Sequence, residues 1–301
     1  MEPKFNHKIA QLLDKEQSEN TRKAYRSDFE HFQHFCEGQQ ESSLPASVKT
    51  VMAYLSHCAE QFKPSVIKRR MAAIKNYHQA HTQTSPTDDL RVKRLFYAIK
   101  RDKGTAQASV KPILKKDIWE AIDTLDENTL KGLRDKCLLL IGFIGAFRRS
   151  ELVDLDYEDL YFDEKGLTIH LHKSQPDALQ EGDFKAIPFN KEQEKYCPVK
   201  AMQTWLAASG IRQGALFRGV NKGGHLNTKR ISDKAVYLVV KQLLGKKFSA
   251  HSLRAGFIVQ AKINGAEAHE IQRQTRHRSL FMIEQYTKVQ SAWEDNAALK
   301  I

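Results

Sequence analysis

Cysteine is scarce in this chain of 301 residues: Cys36, Cys58, Cys137 and Cys197 are the only four, and they show no paired spacing. That scatter argues against a disulfide framework and against zinc knuckles, and it favours reduced thiols in an intracellular protein. The opening, Met1-Glu2-Pro3-Lys4, leads into no signal-peptide core. The longest apolar stretch, Cys137 to Phe147, is far shorter than the ~20 residues a membrane-spanning helix needs. No internal repeat or low-complexity tract stands out. These absences predict a soluble, cytoplasmic protein with no membrane partner. Negative charge is also in short supply, with 36 Asp+Glu against 48 Lys+Arg and a formal net charge of +12. A polyanion is the natural partner for such a balance, although charge alone is a weak guide. Residues 1–112 carry 19 of the basic and 12 of the acidic residues, so the smaller N-terminal part is the more densely basic.

The first hundred residues have helical periodicity. Tyr25, Phe29, Phe32 and Cys36 recur at three- and four-residue steps and share one face. Pro45-Ala46-Ser47 opens a second segment striped by Val48, Val51, Met52 and Leu55. Pro64-Ser65 opens a third, with Ile67, Met71, Ile74 and either Tyr77 or His78 inward. Lys68, Arg69, Arg70 and Lys75 are expected around its other faces. A fourth segment, about Asp89 to Asp102, carries Arg91, Lys93, Arg94, Lys100 and Arg101. A solvated helix face explains any one of these charges. Two basic helices in one small domain favour phosphate contacts for the group.

Residues 103–112, opening with Lys103-Gly104-Thr105-Ala106-Gln107-Ala108-Ser109, lack periodicity and are expected to link a helical domain (1–102) to a second domain (113–301). There Asp117 is a plausible N-cap before Ile118, Ala121, Ile122 and Leu125. Cys137–Phe143 reads as a buried helix ending at Gly145. Leu167, Ile169 and Leu171 alternate as a strand does, and Phe184–Pro188 is its partner across a polar loop. Helices return from Pro198. The expected fold is mainly α with a small β-hairpin, in two domains.

Chemistry concentrates in three stretches: Gly145-Ala146-Phe147-Arg148-Arg149-Ser150-Glu151-Leu152, His251-Ser252-Leu253-Arg254-Ala255-Gly256-Phe257, and Arg276-His277-Arg278-Ser279 followed by Tyr286. A phosphodiester cut by a protein nucleophile needs its charge neutralised, its attacking oxygen aimed and its leaving oxygen protonated. Arginine's planar fork holds two phosphate oxygens and never deprotonates. A tyrosine hydroxyl can form the covalent ester. Each residue alone has a duller explanation: a helix-end arginine, a structural His-x-x-Arg, a packed aromatic. Arg148 and Arg149 are both open as the functional arginine of the first stretch. His31/His34 and His170/His172 lack a third ligand nearby, so no metal is expected.

Together these stretches closely resemble the signature boxes of tyrosine site-specific recombinases, the phage integrase family. The spacings agree, with 23 residues from Arg254 to His277 and nine from His277 to Tyr286. The family pattern picks Arg148, three before Glu151, over Arg149. Cys197-Pro198-Val199-Lys200-Ala201 with Trp205, and Leu216-Phe217-Arg218, resemble the family's connecting segments, nearest its Cre-like branch. The likeness is strong over the catalytic half and looser over the N-terminal half, as a core-binding domain. It implies a two-domain DNA clamp and a role for each matching position. Arg148 and Arg254 would clamp the scissile phosphate, and Tyr286 would attack it to leave a 3′-phosphotyrosyl bond. His251 would assist proton transfer, His277 would hydrogen-bond the phosphate, and Glu151 would brace the pocket from behind. Lys173 aligns with the lysine that protonates the leaving 5′-oxygen, and Lys185 on the neighbouring strand is its rival. Exchange of one ester for another requires neither ATP nor metal, so no cofactor is expected.

The resemblance also implies double-stranded DNA with an inverted-repeat site, a tetramer exchanging strands through a Holliday junction, accessory proteins as further partners, and a bacterial, phage, plasmid or transposon origin. The tail, with Trp293, Ala297, Ala298 and Leu299, either packs on its own chain or docks on a neighbouring protomer. One departure stands out: the residue before His277 is usually glycine in the family and is Arg276 here. That keeps a DNA-binding protein that no longer cleaves in play. A topoisomerase-like relaxing enzyme with the same phosphotyrosine chemistry is the third reading.

Overall fold

The computed structural model describes residues 19–104, 112–171, 183–277, 279–284 and 286. The chain divides into two compact units, Met1–Gln107 and Ala108–Ile301. Lys173, His172 and the tail residues from Trp293 to Leu299 lie outside the described residues. Among those described, no helix is long and apolar enough to cross a membrane. All four cysteines are buried free thiols.

Among the described residues, four α-helices build the N-terminal unit: α1 (Glu19–Gly38), α2 (Val48–Gln61), α3 (Pro64–Ala80) and α4 (Leu90–Lys103). Ser47 and Asp89 cap α2 and α4 by accepting the amides of Thr50 and Arg91. Pro64 begins α3, where its missing N–H costs nothing. Phe29, Phe32, Tyr54, Leu55, Ile67, Ile74, Val92 and Ile99 form the core. Both candidates at the end of α3 face inward. Tyr77 stacks on Phe29 with ring centroids 3.9 Å apart. His78 is fully buried, accepting the Ala46 amide on Nε2 and donating from Nδ1 to the Ile74 carbonyl.

The third segment departs from expectation at Arg70. It is buried, 6% exposed, rather than on an outer face. Its guanidinium lies over the Phe62 ring at 3.9 Å, reaches His31 and Cys58, and pairs with buried Asp28. The spacing explains this, because Arg70 stands three after Ile67 and four before Ile74, on the apolar stripe itself. Arg69 grips the same Asp28 through two hydrogen bonds of 2.6 and 3.0 Å. His31 is part of this cluster, bonded to the Tyr54 hydroxyl at 2.9 Å.

The C-terminal unit is also mainly helical: α5 (Lys115–Asp123), α6 (Leu130–Ile144), α7 (Arg149–Asp154), α8 (Pro198–Ser209), α9 (Asp233–Leu244), α10 (Ala250–Ile263) and α11 (Ala268–Thr275). Asp117 is not the N-cap of α5. Leu114 occupies that place, and Asp117 reaches back to its amide at 2.8 Å, as a carboxylate three residues into a helix does. α6 is buried along almost its whole length and packs against α8 and α10. Among the described residues, two small antiparallel sheets accompany these helices. β1 (Leu160–Phe162), β2 (Gly166–Leu171) and β3 (Asp183–Pro188) form the first, with Leu167 opposite Ile187 and Ile169 opposite Lys185. Leu167, Ile169 and Leu171 are buried, as their alternation predicts. β4 (Arg218–Val220) and β5 (Leu226–Arg230) form a second hairpin in the region read as helical.

Candidate active site

The first arm of the site begins where α6 stops. Gly145 caps α6, and a Cβ there would overlap the Phe147 ring. Ala146 turns the chain in the left-handed region (φ +48°), and Arg148 follows in extended conformation as the N-cap of α7. Glu151, one turn on, accepts the Arg148 amide at 2.8 Å and its Nη1 at 2.5 Å, so one carboxylate fixes both ends of that residue. Burial pushes the Glu151 carboxyl up. The Arg148 amide, the Arg148 charge and the Lys185 charge outweigh it and hold the group below its ordinary range. Arg149 turns away to pair with Asp233 at 2.7 Å, which leaves Arg148 as the arginine of this arm.

α10 supplies the second arm. Its Gly256 allows contact with the chain entering the unit, since a Cβ would overlap the Ile113 carbonyl. Arg254, one turn from its start, is 2% exposed. Nη1 donates to the Ala146 carbonyl at 2.7 Å, and Nη2 donates to the Thr275 carbonyl. Burial, and then the charge of Arg148, bring its pKa down to about 10, so it remains a cation at neutral pH.

His277 follows α11. Its Nδ1 lies 2.8 Å from the Thr275 hydroxyl, which itself donates to the Ile271 carbonyl at 2.7 Å. The hydroxyl proton being spent, Nδ1 carries the hydrogen and Nε2 is the lone-pair nitrogen. That nitrogen faces Arg254 Nη2 at 3.4 Å. Burial first, then the charges of Arg254 and Arg148, hold the His277 pKa down at about 4. The imidazole is therefore neutral at pH 7.

Tyr286 completes the cluster. Its hydroxyl is 2.7 Å from His251 Nε2, and its ring is 6.2 Å from that of His277. Burial raises the phenol above its ordinary pKa, against a smaller lowering by Arg254. Tyr286 is thus no standing phenolate and needs an acceptor for its proton. His251, held neutral by burial and by Arg254 and Arg148, presents Nε2 at the right distance to be that acceptor.

The structure brings Arg148, Glu151, His251, Arg254, His277 and Tyr286 into one place. Lys173 lies outside the described residues. Lys185, its rival, is 2% exposed and within the same electrostatic neighbourhood, where Glu151, Arg254, Arg276 and Arg148 act on it. Sequence reading missed Gln274 and Thr275. The Gln274 side chain donates to the Ile144 carbonyl at 3.0 Å, and Thr275 orients both Arg254 and His277. Their signal was only proximity to His277. Of the basic residues on the N-terminal unit, Lys68, Lys93 and Arg94 are exposed, with Lys93 4.0 Å from Asp88. Lys75 pairs with Asp88 at 2.8 Å and Arg91 with Asp89 at 2.9 Å.

Comparison with known proteins agrees with the motifs. The model of the phage integrase family matches residues 112–292, and the phage integrase N-terminal SAM-like domain matches residues 9–84. The chain belongs to the phage integrase family. An integrase/recombinase xerD homolog from Selenomonas ruminantium is 38% identical over 299 residues, covering 96% of this chain and 87% of that protein. Tyrosine recombinase XerC of Myxococcus xanthus is 25% identical, with coverages of 93% and 90%. Family members are tyrosine recombinases, enzymes that cleave and rejoin DNA. The finer placement nearest the Cre-like branch rests on the connecting segments alone. Two solved structures share the fold. A lambda integrase dimer bound to a COC′ core site has a TM-score of 0.61 at 12% identity, covering 94% of this chain and 93% of that one. The post-cleavage complex of XerH recombinase with palindromic difH has a TM-score of 0.58 at 15% identity, covering 82% and 72%.

Proposed function

We propose that this recombinase cuts and rejoins double-stranded DNA at inverted-repeat sites through a 3′-phosphotyrosyl bond on Tyr286. The observation that carries this reading is the 2.7 Å approach of the Tyr286 hydroxyl to His251 Nε2, beside the cations Arg148 and Arg254. In the reaction the Tyr286 oxygen attacks phosphorus while His251 takes its proton. Arg148 and Arg254 neutralise the non-bridging oxygens of the pentacoordinate transition state. Lys173 protonates the departing 5′-oxygen. Residues 1–102 serve as the core-binding domain and 113–301 as the catalytic domain, joined by 103–112. Lys68, Lys93 and Arg94 supply phosphate contacts from the first. Four protomers on two sites exchange strands through a Holliday junction, and the tail docks in trans. Relatives named for XerC and XerD, and the DNA complexes of lambda integrase and XerH, support DNA as the partner.

The test is covalent capture. Wild-type and Tyr286→Phe proteins are incubated with a nicked suicide-duplex library of randomised inverted repeats, denatured, and the protein-linked DNA is sequenced. Adducts on a convergent sequence in the wild type, absent from Tyr286→Phe, are expected. Adducts that persist in Tyr286→Phe remove the tyrosine from its role. Binding without adducts favours a non-cleaving protein, and adducts without convergence favour a relaxing enzyme.

A further inference from the structure

Two backbone carbonyls at the end of α11 each face a buried cation from a different element. The Thr275 carbonyl accepts from Arg254 on α10, and the Gln274 carbonyl accepts from Lys185 Nζ on β3 at 2.5 Å. A helix C-terminus concentrates partial negative charge, which makes it a suitable seat for such groups. The next residue, Arg276, caps α11 in the left-handed region (φ +58°), its amide donating to the Gln272 carbonyl at 2.6 Å. A non-glycine residue there is strained unless its surroundings hold it. We propose that Lys185 is a positioning residue for strand cleavage: its ammonium ties β3 to the α11 terminus and so holds the turn that presents His277. The inference rests on the proposed role of the His277 and Tyr286 cluster.

Several features mark Lys185 as more than a surface lysine folded inward. It is 2% exposed, and its ammonium stands 5.1 Å from the Phe147 ring centroid. Its strand also receives the Gln274 amide group on the Ala186 carbonyl, so β3 and α11 are bonded in both directions. Burial lowers its pKa to about 7, with Glu151 on α7 opposing and Arg254, Arg276 and Arg148 adding to the fall. Its charge therefore changes in the neutral range, and the charge-assisted bond to Gln274 weakens as pH rises.

The test compares wild type, Lys185→Met and Lys185→Arg by amide exchange and by adduct formation on the captured duplex. In Lys185→Met, exchange of the Arg276 amide should accelerate about tenfold or more, with the α6 amides unchanged. The first-order adduct rate should fall about tenfold while DNA affinity stays within about twofold. Lys185→Arg should restore much of both. The ratio of the wild-type second-order rate, which reports the free protein, to that of Lys185→Met should decline as pH rises through about 7, since the pH dependence that His277 gives DNA affinity is common to both. Unchanged Arg276 exchange in Lys185→Met overturns the proposal, as does a loss of DNA affinity that accounts for the whole defect. Should Lys185→Met not fold, Lys185→Gln, with a shorter uncharged donor, answers the same question. A wild type that forms no adduct refutes the nucleophile assignment, while the exchange result still decides the role of Lys185.

Discussion

Burial and the neighbouring Arg254 charge together decide the protonation state of His277. The lone pair on His277 Nε2 faces Arg254, and the ring is neutral. On the proposed reading, a phosphate anion bound between the arginines would reverse that balance, favouring a protonated His277 that donates to it. DNA binding should therefore take up a proton. Affinity of Tyr286→Phe for a cognate duplex should rise as pH falls from 8 to 6, and His277→Asn should flatten the trend. A pH-independent affinity would contradict this. The same depressed pKa bears on stability. The unfolded chain protonates His277 near its ordinary 6.5 and the folded chain only near 4, so the unfolded state binds more protons between these values. The contribution is complete above pH 6.5 and is lost as pH falls toward 4. Thermal melts of His277→Asn should show a shallower acid limb than wild type. Arg254→Ala should lower cleavage by about 10²–10³. It should also cost about 1–3 kcal/mol of stability, because the Ala146 and Thr275 carbonyls lose their donor. An unchanged cleavage rate would remove Arg254 from the site.

At the scale of elements, α3 separates two kinds of basic residue that sequence alone had grouped. Lys68 is exposed and available to a phosphate, whereas Arg70 is built into the core with Asp28, His31 and Cys58. Lys68→Ala should therefore leave stability within about 0.5 kcal/mol and reduce the salt slope of DNA binding by about one. Arg70→Ala should cost about 1–3 kcal/mol, since Asp28 keeps Arg69 while His31 and Cys58 lose their buried partner. Equal effects of the two variants on melting temperature would overturn the distinction. The periodicity of α1, α2 and α6 and the alternation of β2 were legible because apolar side chains repeat at one spacing. Arg70 was not, because a charge on the stripe position reads as outward unless its buried partner is known. β1 is three residues long, and β4 and β5 carry Arg218, Asn227, Lys229 and Arg230 with no apolar alternation. Such strands are specified by pairing and not by pattern. Asp117 misled for a related reason, since the same residue type serves at the cap and three residues inside it.

For the whole molecule, the formal charge of +12 sets a salt-dependent attraction to DNA that any basic protein would share. Specific chemistry depends instead on bringing together residues that stand far apart in sequence. Arg148, His251, Arg254, His277 and Tyr286 were legible from the order and spacing of their motifs. The bonds that hold them were not, since Ala146, Gln274 and Thr275 act through backbone carbonyls and a hydroxyl, which leave no mark in residue type. Lys185 was ambiguous because its strand position alone does not tell which way a lysine points. The most direct test of the account is to locate the covalent bond. After capture on the cognate nicked duplex, nuclease and trypsin digestion followed by mass spectrometry should find the nucleotide phosphate on Tyr286. A phosphate on any other residue, or none despite specific binding, would contradict it.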